Sequence, residues 1–338
     1  MVTIKDISQK SGYSPATVSK ALNGYGDVSA ETQEKIRSIA EELHYQPNAA
    51  ARLLKTNRSQ NIGVVFEDET FSGLTHGYFS RILNSAKNEL ERRGYDITFI
   101  GRNIGGRSFL EHIRYRNCDG VLIANVDFSA ESVRELIQSE VPAVTIDYIF
   151  DNVSAVMSDN VEGSYQLTKH LLEAGHKRIA FIHGEHTSVT AKRLSGFFKA
   201  HAEAGVNVPD GYILKGRYND TKTSALMTRK LMELPTPPTA IMYPDDFAYI
   251  GGMNELEKMN IKIPEDVSVV GYDGINLSQV IRPRLTTYSQ DAEMIGSESG
   301  RKLVEMIEQG RGAVAEQILV SGRLIKGNSV KELKKQDR

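Results

Sequence analysis

The stretch Ile4–Gly24, "IKDISQKSGYSPATVSKALNG", holds two short helical patterns with about three residues between them. Ile4, Ile7 and Ser8 share one face of the first pattern, and Gly12 ends it. Ser14 then offers an N-cap, and Pro15 falls at the first helical position, where its missing N–H costs nothing. In the second helix Val18, Ala21 and Leu22 form the inward stripe at i, i+3, i+4 spacing. Ala16, Ser19, Lys20 and Asn23 fall on the opposite side, and Gly24 stops the run. A third helix is predicted over roughly 30–44, with Ser29 as N-cap and Ile36, Ile39, Ala40 and Leu43 inward. Two tightly joined helices braced by a third make a helix-turn-helix, whose second helix enters the DNA major groove by its N-terminal end. Small outward side chains let the backbone come close, and hydroxyls bond phosphates or bases. A small helical bundle with a solvated face fits the same spacing.

Length and charge bound what surrounds this stretch. At 338 residues the chain should fold as two or three compact units. Residues 1–60 carry eight Lys/Arg against six Asp/Glu, and the remainder 33 against 37, which together give the net charge of −2. That distribution permits nucleic-acid binding without arguing for it. The single cysteine, Cys118, excludes an intramolecular disulfide and fits a reducing compartment. The N-terminus has no apolar core of a signal peptide, and no window holds about 18 consecutive apolar residues. The expectation is a soluble, cytoplasmic protein with no membrane partner.

The next segment, Tyr45–Ser59, reads "YQPNAAARLLKTNRS". Pro47 breaks, Asn48 can cap, and a short helical run ends at Lys55. An isolated helix shorter than about 12–15 residues is marginal in water, so this one needs something packed on it. Leu53 and Leu54 side by side are costly on a bare linker. If two copies meet, one leucine packs on its twin and the other wedges between base steps in the minor groove. An ordinary linker helix, with its leucines docked on the next unit, is the alternative.

The motifs "TIKDIS", "SPATVSKALNG", "VSAETQEKI" and "ELHYQPNAAARLLKT" together resemble the head of the lactose/galactose-repressor (LacI/GalR-type) family of bacterial transcription regulators. The resemblance implies a headpiece over residues 1–46 and a DNA-induced hinge helix with linker over 47–60. By position it implies that Pro15, Ala16 and Lys20 face base edges, while Thr3, Ser14, Thr17, Ser19 and Asn23 fix phosphates. In the hinge it implies Leu54 as the minor-groove wedge with Lys55 beside it, and Asn48 and Ala51 also toward DNA.

From Asn61 the texture changes. Short apolar runs ("NIGVVF", "YDITFIG", "GVLIANV", "AVTID", "RIAFIHG", "TAIMYPDD", "VSVVGYD") alternate with helical patterns. Such alternation predicts right-handed βαβ units on parallel sheets covered on both faces. The strands are too many for one compact sheet, so two sheets are expected, beginning near Asn61 and Asn160. Ligands of such sheets sit beyond the C-terminal strand ends. Those ends carry Asp147 and Tyr148, Asp245 and Asp246, and Asp273 between Gly271 and Gly274; Arg193 opens "RLSGFFKA" and Tyr218 follows "LKGR". Carboxylates and Arg bond hydroxyls in pairs, and flat rings stack on the apolar face of a sugar. Asp246 and Asp147 also read simply as helix caps.

The same resemblance continues through "DNVEGSYQLTKHLLEAGHKRIAFIHG", "IPEDVSVVGYDG" and "PRLTTYSQD". It implies a periplasmic-binding-protein-like effector and dimerisation domain over residues 61–338, with two doubly wound parallel-sheet lobes, three crossovers and a ligand cleft between the lobes. Lobe 1 would span about 61–158 and 288–318, and lobe 2 about 159–287 and 319–330. By motif position Arg193 and Asp273 match effector contacts, Asp245 stands where many sugar-binding members have Asn, and Tyr218 where they have an aromatic. The Asp is an acceptor-only group, which argues against an anionic sugar phosphate. The loop "EDETFSGLTHGYFS" places Phe71 and His76 within reach of a ligand; a lone surface histidine is the plainer reading of His76.

There is no G-x-S-x-G elbow, no P-loop and no G-x-G-x-x-G after a strand, and "GRNIGGRS" lacks the spacing to cradle a pyrophosphate. His170 and His176, read six apart on one helix, miss the i, i+4 register of a metal pair. The chain therefore reads as non-enzymatic, without cofactor, metal or catalytic residues. The expectation is a homodimeric repressor of carbohydrate-use genes that binds a pseudo-palindromic double-stranded operator under control of a small sugar-like effector. A solute-binding protein and a regulator answering to a nucleobase are the alternatives.

Overall fold

A computed structural model describes residues 2–45, 58–67, 73–101 and 104–333. They fall into two compact units that divide between Ser59 and Gln60. The hinge residues Asn48, Ala51, Leu54 and Lys55, and Phe71 of the long loop, lie outside the described residues.

The first unit is three helices: α1 (Ile4–Ser11), α2 (Pro15–Leu22) and α3 (Ala30–Glu42). Gly12 closes α1 in the left-handed conformation at φ 77°. Ser14 caps α2 by accepting from the Thr17 N–H, and Ser29 caps α3 by accepting from the Thr32 N–H. Asn23 closes α2 one residue ahead of Gly24, and α3 ends two residues before His44. Ile7, Val18, Ala21, Ile36 and Ala40 are buried at the centre, with Ile4, Leu22, Ile39 and Leu43 packed around them. The apolar stripes thus meet as their helical spacing requires.

The second unit contains two six-stranded sheets. The first uses β1 (Asn61–Phe66), β2 (Asp96–Ile100), β3 (Gly120–Ala124), β4 (Ala143–Ile146), β5 (Ser154–Ser158) and β11 (Gln317–Val320), in the order β11-β5-β4-β3-β1-β2 and all parallel. The second uses β6 (Ile179–His183), β7 (Ile213–Lys215), β8 (Ala240–Met242), β9 (Ser268–Asp273), β10 (Thr286–Ser289) and β12 (Arg323–Ile325), in the order β12-β10-β9-β8-β6-β7. Only the last pairing, β12 on β10, is antiparallel. The inner strands β3, β4, β5, β6, β8, β9 and β10 are buried at every position, as strands covered on both faces must be.

Helices supply the covers. On the first sheet α4 (Gly77–Arg92) and α12 (Ala292–Gln309) pack together on one face. The opposite face takes α5 (Phe109–Tyr115) and α6 (Glu131–Ile137). On the second sheet the pairs are α7 (Asn160–Glu173) with α8 (Ser188–Glu203), and α9 (Thr221–Met232) with α10 (Asp246–Lys258). The short α11 (Asn276–Val280) follows β9. His176 lies beyond the end of α7 rather than on it, and its ring bonds Thr239 Oγ1 and the Lys331 carbonyl.

The chain passes between the sheets three times: at Asp159, at Gln290–Asp291 and at Ser321–Gly322. Each sheet reverses its strand order once, between β1 and β3 and between β6 and β8. Loops at such a reversal splay apart and leave a crevice beyond the strand ends.

Candidate functional site

In the first unit, Ser14, Pro15, Ala16, Lys20 and Asn23 are exposed along α2, with Thr17 and Ser19 half-buried beside them. The Ser14 hydroxyl bonds Thr17 Oγ1 at 2.9 Å, Asn23 Nδ2 donates to the Ser19 carbonyl at 2.5 Å, and Lys20 pairs with the Asp27 carboxylate. Thr3, ahead of α1, donates from its hydroxyl and its backbone N–H to Asp6 Oδ2 at 2.8 and 2.7 Å, which holds the Asp6 carboxyl below its usual range. The face is small-residued and carries one long cation, as its sequence foretold. Lys20 must exchange Asp27 for any base or phosphate that it meets.

The second unit carries a cleft of about 530 Å³ between its two sheets, lined from both. It brings together His76, Tyr148, Arg193, Tyr218, Asp245 and Asp273, six of the seven effector residues expected from sequence. The lining comes from the loops after β1, β3 and β4 on one side and after β6, β7, β8 and β9 on the other, where both strand orders reverse.

Arg193 sits in the first turns of α8 and is 5% exposed. Nε donates to Asn160 Oδ1 at 2.8 Å and Nη1 to the Pro244 carbonyl at 2.7 Å, while Nη2 stands 3.8 Å from Asp273 Oδ1. The guanidinium lies over the Tyr272 ring, 3.6 Å from its centroid, and 5.4 Å from that of Tyr218. The fork is therefore fixed by neutral partners and a flat ring before any ligand arrives. Burial lowers its proton affinity, but the surrounding Tyr218, Tyr272, Asp273 and Asp147 outweigh that and hold it charged.

The three aspartates differ. Asp245 is the N-cap of α10: Oδ1 accepts from the Ala248 N–H and Oδ2 from the Asn219 N–H, each at 2.7 Å. Burial and the neighbouring Asp273 raise its pKa to about 6. Asp273 ends β9 at φ 96°, a left-handed value that a non-glycine residue adopts only when its surroundings hold it there. Its Oδ1 accepts from Gln290 Nε2 at 2.7 Å, and burial raises its pKa, partly opposed by Arg193. Asp147, also left-handed at φ 60°, accepts from the Ser158 N–H at 2.9 Å.

Two cap readings are corrected. Asp246 is not the helix cap; Asp245 is, one residue earlier. Asp246 turns inward, accepting from Thr287 Oγ1 at 2.6 Å and the Ile275 N–H at 2.9 Å, and burial pushes its pKa well up. Asp147 caps no helix: it folds back onto β5 and lines the cleft. His76 is more than a surface histidine, since it is the N-cap of α4 and faces the cleft with its ring edge against Phe79.

Flat faces complete the wall. Tyr148 stacks on Phe128 with centroids 4.3 Å apart and planes 10° from parallel. The Tyr218 hydroxyl bonds Thr190 Oγ1 at 2.8 Å, and its ring passes so close to Gly184 that a Cβ there would stand 2.1 Å away. Glu185 accepts from the Tyr218 N–H and from Arg217 Nε, both at 3.1 Å.

Several lining residues escaped the sequence reading. Phe128 and Glu185 lie in the loops that follow strands β3 and β6, so the strand-end rule pointed at those loops without choosing the residue. Tyr78, which lines the cleft, and Gln290, which stands behind it bonded to Asp273, gave no local signal. The Tyr78 hydroxyl is 3.3 Å from both Asp147 Oδ2 and Gln290 Oε1, and its one proton serves a single acceptor at a time. Asp147, Tyr78, Gln290 and Asp273 so form a chain from one sheet to the other through the second crossing. Among the described residues no helix is long and apolar enough to cross a membrane, and no group of three or more His, Cys, Asp or Glu could hold a metal ion.

Comparison with known proteins places both units. Residues 3–48 match the family model for bacterial regulatory proteins of the lacI family, and residues 168–330 match a periplasmic binding protein-like domain. The HTH-type transcriptional repressor PurR of Vibrio atlanticus is 32% identical over 318 residues, covering 91% of this chain and 92% of its own. PurR of Mannheimia succiniciproducens is 31% identical over 342 residues, covering 98% and 100%. Among solved structures, the lac repressor dimer bound to operator and the anti-inducer ONPF is 25% identical, with a TM-score of 0.79, covering 98% of this chain and 99% of that one. The transcriptional regulator CelR–cellobiose complex is 26% identical, with a TM-score of 0.72, covering 97% and 100%. The chain belongs to the LacI family of bacterial regulatory proteins: a DNA-binding transcription regulator that carries a periplasmic-binding-protein-like domain.

Proposed function

We propose that this regulator is a homodimeric, cytoplasmic repressor of carbohydrate-use genes whose operator affinity is set by a small sugar in the cleft. The observation that carries the reading is the fixed Arg193 fork facing Asp147, Asp245 and Asp273 beside the flat rings of Phe128, Tyr148 and Tyr218. Hydroxyls need paired acceptors and donors, and a sugar's C–H face needs a ring. Two headpieces would read a pseudo-palindrome through Pro15, Ala16 and Lys20, with Thr3, Ser14, Thr17, Ser19 and Asn23 on phosphates. Paired hinge segments would add Leu54 as the wedge, helped by Asn48, Ala51 and Lys55. Ligand closing on both sheets would turn one about the three crossings and change the spacing of the hinges, coupling the two sites.

The similarity to a repressor solved on operator and to a regulator solved with cellobiose supports both halves of this proposal. A nucleobase is the second reading, favoured by the parallel Phe128–Tyr148 pair, which offers a planar face to a planar ring. A thermal-shift screen against sugars and nucleobases separates the two. A ligand present at about 100 times its Kd adds about 2.7 kcal/mol and raises the melting temperature. A shift with a sugar that also alters retention of an operator fragment is the expected result; a shift confined to nucleobases overturns the sugar reading.

A further inference from the structure

We propose that the cleft is built for an amino sugar, a ligand bearing a protonated amine, rather than for a neutral sugar; this deepens the sugar reading and rests on it. Asp147, Asp245 and Asp273 line the cleft together with Glu67, Asp127 and Glu185, and Arg193 is the one guanidinium among the described lining residues. Asp245 and Asp273 are 4% and 6% exposed, so water screens them little. Arg193 cannot serve all three: Nε and Nη1 are committed to Asn160 and Pro244, and Tyr272 lies flat against the guanidinium. Lys192 acts on Asp147 electrostatically but is not part of the lining. His76 also lines the cleft and acts on Asp245. Arg81 acts on Asp273 from outside the lining, so the lining itself holds more carboxyl groups than guanidinium groups; burial raises the pKa of Asp147, Asp245 and Asp273, and a ligand ammonium beside them would favour their ionised form.

The free acceptor positions say where a cation belongs. Both oxygens of Asp245 are taken by backbone N–H groups. Asp273 differs: Oδ1 accepts from Gln290, whereas Oδ2 receives no hydrogen bond from any described residue and is not shut away from solvent, so it opens on the cleft. Asp147 Oδ2 has only the Tyr78 hydroxyl, 3.3 Å away and shared with Gln290. A carboxylate oxygen that opens on the cleft can take a donor from the ligand, and an ammonium brings three donors and a charge. A metal ion would need a cluster of ligands that the described residues do not form. The rings of Phe128 and Tyr148 then take the apolar face of the same sugar.

Titration calorimetry on the full chain tests this with matched sets: glucosamine, galactosamine and mannosamine, each beside its parent hexose and its N-acetyl derivative. The expected result is one amino sugar that binds at least tenfold tighter at pH 7 than both its parent and its N-acetyl form. Asp273→Asn should remove most of that preference, and Asp147→Asn should reduce it, with melting curves confirming that each variant is folded. A parent hexose or N-acetyl sugar that binds as tightly as the amine overturns this inference and leaves the sugar reading standing. Failure of every sugar, charged or neutral, to bind overturns the sugar reading and this inference with it.

Discussion

Asp245 works against the fold once ionised. Burial and Asp273 lift its pKa from 3.8 to about 6, so the proton is held more tightly in the folded chain than in the unfolded one. Its contribution to stability is then full below pH 4 and is lost as the pH rises through 6, by at most about 3 kcal/mol. Asp245→Asn does not titrate. The melting temperature of the native chain should therefore fall relative to that of the variant between pH 4.5 and pH 7.5, and a constant difference across that range refutes the assignment. The lost acceptor for the Asn219 N–H shifts the variant equally at both pH values and drops out of the comparison. Arg193→Lys gives a different readout. Lysine keeps the charge but lacks the planar fork that reaches Asn160, Pro244 and Tyr272 together. Ligand affinity should drop at least tenfold while operator binding without ligand is unchanged; an unaltered titration curve removes Arg193 from the site.

Single helices answer to smaller changes. The Ser14 hydroxyl caps α2 at the end that the helix-turn-helix reading directs to DNA. Ser14→Ala should cost about 1 kcal/mol of headpiece stability and weaken DNA retention as well, checked by denaturant unfolding and by gel shift. Where α9 meets α10, a Cβ at Gly251 would stand 1.8 Å from the Thr221 carbonyl oxygen, which is backbone and has nowhere to go. Gly251→Ala should destabilise the second unit by about 1–3 kcal/mol and leave headpiece unfolding where it was. Elements of this kind were the legible part of the sequence. Ser14, Pro15 and Ser29 announced helix starts because a cap is a local bond between neighbours in the chain. Six of the seven apolar runs announced strands because both their faces are covered; the seventh, β2, is a sheet edge and only partly buried. The strands not anticipated, β5, β7, β10, β11 and β12, are three to five residues long, and three of them are sheet edges whose residues alternate in exposure or are partly exposed. Of the site, residues ending strands were legible. The cap could not be assigned between Asp245 and Asp246, because adjacent carboxylates differ only in which way the backbone turns. Tyr78 and Gln290, 212 positions apart, meet only in three dimensions.

The proposed hinge lies outside the described residues. If Leu54 is a wedge between base steps, Leu54→Ala should abolish preference for operator over random duplex and leave nonspecific retention at low salt intact. Equal loss of both would make 47–57 an ordinary linker. The crossings described above also bear on how the chain is made. The first sheet is not complete when residue 158 is: α12 and β11, which cover and extend it, belong to the last fifty residues before position 320, after nearly all of the second sheet. A nascent chain leaving the ribosome therefore carries a first lobe whose α4 face lies bare while the second lobe is still being translated. β12, at 323–325, finishes the second sheet just after β11 finishes the first. Neither lobe is a contiguous fragment that can be cut out and expressed alone. The headpiece, three helices with their own small core, can fold some 280 residues before the second unit is complete.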